Sequence, residues 1–144
     1  MTAKEYLSQL EILHLKIEHK RKRAMELREL TLSLGGFDYG KDRVKTLAKE
    51  GKIEKSVTQY IALEIEITED IDEYQRKKNL IIGEIHSLDN ANFIKILYKK
   101  YVEFKSLDKI AAEMKYSYQY IKHMHGAALK SFEERLKMTP NNTF

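Results

Sequence analysis

The chain contains no cysteine and no tryptophan, one proline and six glycines in 144 residues. Without cysteine there is neither a disulfide nor a thiolate metal site, which fits a reducing compartment. No stretch of eighteen apolar residues is present to cross a bilayer, and no charged, apolar and small-residue leader opens the chain. The expected location is therefore the cytoplasm. Enzyme signatures are missing too: there is no glycine-rich phosphate loop, no GxSxG, no HExxH and no pair of carboxylates in an apolar setting. The five histidines (His14, His19, His86, His123, His125) have no zinc-like spacing. Neither catalysis nor a cofactor or metal is expected.

What remains is 42% hydrophobic and 33% charged, with nine tyrosines. With so few proline and glycine breaks, this composition predicts an all-α protein. The net charge is +4, but its distribution says more than its sum. Residues 56–88 carry three basic against seven acidic side chains, and residues 89–144 carry ten against six. The C-terminal part is thus the one that phosphate attracts, and the acidic middle is the one it repels.

Apolar periodicity predicts a long N-terminal antiparallel helical hairpin over residues 1–88, coiled-coil-like and suited to oligomerisation. Thr2 and Glu5 form a capping box. Ala3, Tyr6, Leu10, Leu13, Ile17, Ala24, Leu27 and Leu34 make a seam that only Lys20 and Thr31 interrupt. Gly35-Gly36 ends the first helix. Residues 35–55 read as a loop with at most a short helical turn. A second helix runs from about Ser56 to His86, with Val57, Ile61, Ile65, Ile71, Tyr74, Ile81 or Ile82, and Ile85 as its apolar face. Two such helices bury little alone, so a second copy of the chain is expected, a dimer first of all.

The basic run His19–Arg23 spreads around the first helix, where Glu18 and Lys22 have the spacing of an ion pair. Glu64, Glu66, Glu69, Asp70, Asp72 and Glu73 read as a solvated acidic face.

The most specific pattern lies between Ser106 and Leu129, inside a predicted domain of residues 89–138. Asp89 or Asn90 caps a support helix, about Ala91–Phe104. A short amphipathic helix, about Leu107–Met114, carries Leu107, Ile110, Ala111 and Met114. After Lys115-Tyr116-Ser117 comes a longer helix, 118–136, with Ile121, Met124, Ala128 and Leu129 inward. Ser117 is a natural N-cap. Lys115 stands where glycine usually supplies positive φ, at a cost of about 1 kcal/mol. This is the layout of a helix-turn-helix, whose second helix presents its first turns to the major groove of double-stranded DNA. Residues 139–144 read as a flexible tail.

The side chains turned away from the Ile121/Met124 core are Tyr118, Gln119, Lys122 and His123. Glutamine pairs with adenine and lysine with guanine; tyrosine and histidine suit bases or phosphates. Otherwise the four are simply a solvated polar face. Ser106, Lys105, Lys115 and Ser117 suit phosphate contacts that set register, with surface solubility as the plain alternative for the lysines. Tyr116 is expected to pack in the turn, and Tyr120 at the domain edge or on the DNA backbone.

The string Ser106-Leu-Asp-Lys-Ile-Ala-Ala-Glu-Met114, with Tyr116-Ser117, Ile121, Ala127-Ala-Leu129, Phe132 and Leu136, resembles region four of bacterial sigma factors. That resemblance implies promoter contacts at Tyr118, Gln119, Lys122 and His123. Over the whole length, the long first helix, Asp42-Arg43-Val44, the second long helix and the Leu97–Tyr101 to Met114–Tyr118 segment resemble the ArpU/RinA-like regulators of Gram-positive phages and prophages. That resemblance implies a late-gene activator in a bacterial host cytoplasm. The chain departs from the sigma pattern at Lys115, Tyr118 and Tyr120, and has no counterpart of the polymerase-binding regions of a full sigma factor. Three readings follow: a homo-oligomeric transcriptional regulator that touches RNA polymerase through its acidic helix; a small terminase-like DNA-packaging adaptor; and an RNA polymerase-binding module that never meets DNA.

Overall fold

The computed structural model describes residues 1–34 and 43–138, those of 43–49 as backbone alone. The expected Gly35-Gly36 stop, Asp42 and the tail 139–144 lie outside the described residues. Every described element is a helix, and no helix among them is long and apolar enough to cross a membrane. In chain order they are α1 (Ala3–Leu7), α2 (Gln9–Leu34), α3 (Arg43–His86), α4 (Ala91–Leu97) with a π-helical turn over Tyr98–Val102, α5 (Leu107–Met114) and α6 (Tyr118–Lys137).

The N-terminal capping box forms as expected. Thr2 Oγ1 accepts from the Glu5 amide at 3.2 Å, and Glu5 Oε2 accepts from the Thr2 amide at 3.1 Å. The expected single first helix is bent at Ser8, which separates α1 from α2. The largest departure is at α3. It begins at Arg43 rather than near Ser56, so most of the expected loop is helix. Gly51 lies within it, at a cost of about 1 kcal/mol relative to alanine. One glycine weakens a helix without ending it, and the charged residues around it are good helix formers.

The chain divides into two compact units, Met1–His14 with Tyr74–Phe144, and Leu15–Glu73. This packing does not follow a boundary at residue 88. Leu7, Leu10, Ile81 and Ile85 are buried in one core with Leu97, Val102, Ala128 and Phe132, so the first turns of α1–α2 and the last of α3 belong with the C-terminal helices. Gln9 and Lys77 hydrogen-bond within this unit, and the Tyr6 hydroxyl donates to Glu84. Burial of that carboxyl raises its pKa, the Tyr6 bond opposing the shift.

In the other unit α2 and α3 run antiparallel, with Lys20 beside Asp70 and Thr31 beside Ser56. The two interruptions of the α2 seam are thereby explained. Lys20 Nζ lies 2.6 Å from Asp70 and 3.6 Å from Glu66, and the Asp70 bond raises its pKa. Thr31 Oγ1 meets Ser56 Oγ at 2.7 Å while donating to the Leu27 carbonyl. Satisfied in this way, Ser56 is buried at little cost and takes a place facing α2 together with Ile67. The expected α3 stripe is therefore rotated in this unit: Val57, Ile61 and Ile65 are exposed. Glu18 takes Arg21, at 3.6 Å, as its partner.

Candidate nucleic-acid interface

Three helices converge to position α6. Asn90 caps α4, its Oδ1 accepting from the amides of Asn92 and Phe93. The π-helical turn after Leu97 closes with the Glu103 amide on the Tyr98 carbonyl, ending the expected support helix two residues early. Phe104 follows with φ 59. A second small core then joins Ile96 of α4, Ile110 and Ala111 of α5 and Ile121 of α6, with Leu107, Met114 and Met124 around it. Ala111 and Ile121 sit where the periodicity requires them.

The expected Ser117 cap forms, and Ser106, read from the sequence as a phosphate contact, caps α5. Ser106 Oγ accepts from the Lys109 amide at 3.3 Å, and Ser117 Oγ from the Tyr120 amide at 3.1 Å. Between the helices Lys115 adopts φ 61, ψ 41, the left-handed conformation usually left to glycine. Its amide and that of Tyr116 both return to the Ala111 carbonyl, tying off the end of α5. These bonds hold the strained turn in place.

The anchored helix α6 has two faces. Ile121, Ala128, Phe132 and Leu136 are buried. Tyr118, Gln119, Lys122 and His123 are all exposed, and the last three share one surface. They line a shallow trough of about 540 Å³ that continues along the helix to Gly126, Ala127 and Lys130. These three residues were absent from the sequence-derived set, although their spacing from Gln119 and His123 is that of a single helix face. A Cβ at Gly126 would meet nothing within 4 Å, so the trough is open above it.

The two histidines of this segment have opposite fates. His123 is exposed, whereas His125 turns inward, its Nε2 2.7 Å from the Tyr101 hydroxyl and its ring stacked on that tyrosine. Burial, with lesser contributions from Lys100 and Lys4, lowers the His125 pKa to about 4. It is neutral at physiological pH. Burial also pushes Tyr101 up to about 12.

The expected phosphate-contacting residues are less alike than their types suggest. Lys115 is exposed at the turn. Lys105 is engaged: its ammonium lies 2.9 Å from Glu113 and 3.5 Å from Glu103, and Glu113 also takes Lys99 at 3.0 Å. Those bonds raise the Lys105 pKa and lower that of Glu113. The Ser106 and Ser117 hydroxyl oxygens accept the cap bonds, which leaves each O–H able to donate. Tyr116 does not pack into the turn; it is exposed with its ring 4.7 Å from that of Tyr120. With Tyr118 the two place three exposed tyrosines around the start of α6.

The chain matches no family model, no curated protein and no solved structure.

Proposed function

We propose that this protein is a sequence-specific, DNA-binding transcriptional regulator that acts as a homo-oligomer, with α5–turn–α6 as a helix-turn-helix and α6 as the recognition helix. The observation that carries the reading is the exposed line Gln119, Lys122, His123 and Lys130 along one face of a helix capped and buttressed on its other faces. The first turns of such a helix enter a major groove, where glutamine and lysine discriminate bases and tyrosine contacts positioning phosphates. Gly126 and Ala127 keep the centre of that face low enough for the duplex to approach. The excess of basic over acidic residues in the C-terminal segment supplies the non-specific attraction.

The resemblance to sigma region four and to the ArpU/RinA-like regulators supports a role in late-gene activation in a phage or mobile element, with RNA polymerase as a further partner. Selection of bound sequences from a random duplex pool, followed by gel-shift titration, tests the proposal. The expected result is one enriched motif, bound at least a thousandfold more tightly than random DNA at 150 mM salt. Weak, uniform binding to all duplexes, or none, refutes it. Capture of RNA polymerase without DNA binding would leave the polymerase-binding module as the function.

A further inference from the structure

We infer that one flank of the α2–α3 pair, formed by Met25, Leu32, Val57, Ile61 and Ile65, is the surface on which a second copy of this chain docks. It identifies where the self-association proposed above takes place, and rests on that part of the proposal alone.

The α2–α3 pair has two flanks. Ala24 of α2 and Ser56 and Ile67 of α3 are buried where the helices meet. At 3.6 residues per turn, the neighbours before and after a buried position leave the helix on opposite sides. Arg23, before Ala24, lines a concavity of about 300 Å³ with Gln59, Ala62 and Glu66. The large apolar side chains that also line it, Leu27 and Leu63, are buried or half-buried, so what it exposes is Arg23, Gln59, Ala62 and Glu66. Met25, after Ala24, and Leu32, two turns on, belong to the other flank. On α3, Gln59 and Glu66 precede Tyr60 and Ile67, whereas Val57 and Ile61 follow Ser56 and Tyr60. Both therefore join Met25 on the second flank, and Ile65, half a turn round from Ser56, borders it on the outer face of α3.

The second flank is apolar and uncovered. Met25 is 63% exposed, Leu32 66%, Val57 36%, Ile61 53% and Ile65 56%. Together they leave on the order of 500 Å² of apolar surface open, near the top of the range for a soluble monomer. Two copies pairing here would bury about 1,000 Å² from this stripe alone, where specific interfaces begin.

Charge identifies the occupant as a second copy and selects its orientation. Bordering the stripe, α2 carries Arg21, Lys22 and Arg28 against Glu18 and Glu29, whereas α3 carries Glu54 and Glu64. A two-fold pairing that laid α3 on α3 would oppose carboxylates to carboxylates. The alternative lays α2 of one copy on α3 of the other and brings arginines over Glu54 and Glu64. The geometry points to this second arrangement, a four-helix packing with the same stripe used twice.

Light scattering with size-exclusion chromatography on the full chain, from 5 to 100 μM, tests the inference. The wild type is expected at twice its 17.0 kDa mass. Ile61→Glu, at an exposed position, is expected to run as a monomer with unchanged far-UV circular dichroism. Gln59→Glu, on the polar flank, and Lys122→Ala, in the α6 trough, are expected to leave the dimer intact. Glu64→Arg weakens the dimer at least tenfold, and adding Arg21→Glu restores it. A monomeric wild type at 100 μM, a dimer untouched by Ile61→Glu, or a ring of eight or more copies would overturn the assignment. Because Lys122→Ala affects DNA affinity and Ile61→Glu affects mass, failure of the docking surface and failure of the DNA reading are separately visible.

Discussion

Acid should loosen the C-terminal unit through His125, and the size of the effect follows from the structure. In the unfolded chain this imidazole titrates near 6.5; in the folded chain its pKa is about 4. Between those values the unfolded state binds the proton and the folded state refuses it, so stability rises with pH across the window and is lost as pH falls through it. At 1.36 kcal/mol per pKa unit, going from pH 7 to pH 5 removes at most about 2 kcal/mol, partial exposure reducing the figure. The remaining loss comes as the pH falls on through the folded pKa near 4. The groups around the ring are consistent with this sign: Lys100 and Lys4 oppose its protonation, and the Tyr101 hydroxyl, 2.7 Å from Nε2, can pair with either tautomer of the neutral ring. His125→Gln keeps a polar partner for Tyr101 and removes the titration. Urea unfolding at pH 7 and pH 5 should show the wild type losing more than the variant, by up to about 2 kcal/mol. Equal losses, or a His125 resonance titrating near 6.5 in the folded protein, would refute the reasoning.

Three further outcomes follow from the turn and the trough. Lys115→Gly relieves a left-handed lysine and should stabilise the protein by about 0.5–1 kcal/mol after the entropy of glycine is subtracted; a loss in urea unfolding would argue against the strained turn. Ser117→Ala removes the α6 N-cap and should cost about 1 kcal/mol, measured in the same way, because its hydroxyl holds the Tyr120 amide. In gel shifts against a selected site, Lys122→Ala should cost about 1–3 kcal/mol if it reads a base. Lys105→Ala should change both affinity and salt slope much less, because Glu113 and Glu103 already hold its ammonium; equal losses from the two would show that Lys105 exchanges its intramolecular partners for phosphate.

Local signals were readable where their cause was local. A cap is a side chain reaching its own backbone a few residues away, so the Thr2/Glu5 box, the Ser117 cap and the choice of Asp89 or Asn90 could be read from adjacent residue types, whereas Ser106 reads as a phosphate contact and caps α5 instead. The same holds for α5 and α6, whose apolar spacing is strong and whose inward residues Ile110, Ala111 and Ile121 form one core. The outward set Tyr118, Gln119, Lys122 and His123 follows from that periodicity by subtraction.

The errors arose where a partner distant in sequence decides what a residue does. Ser56 reads as a surface residue until Thr31 is beside it, and its burial turns α3 so that Val57, Ile61 and Ile65 lose their place in the seam. Lys20 likewise reads as a flaw until Asp70 arrives from fifty residues away. Gly51 reads as a loop signal because no local rule weighs one glycine against a 44-residue helix.

The sequence by itself determined the helical class, the caps, the turn at Lys115 and the outward line of α6, because each depends on backbone bonding or on a 3.6-residue period. Only the tertiary structure decided that Lys105 is already paired, that His125 is half-buried and neutral, and that one flank of the α2–α3 pair is greasy and open. Those properties depend on which charges and surfaces folding brings within a few ångströms, and spacing along the chain does not encode that distance.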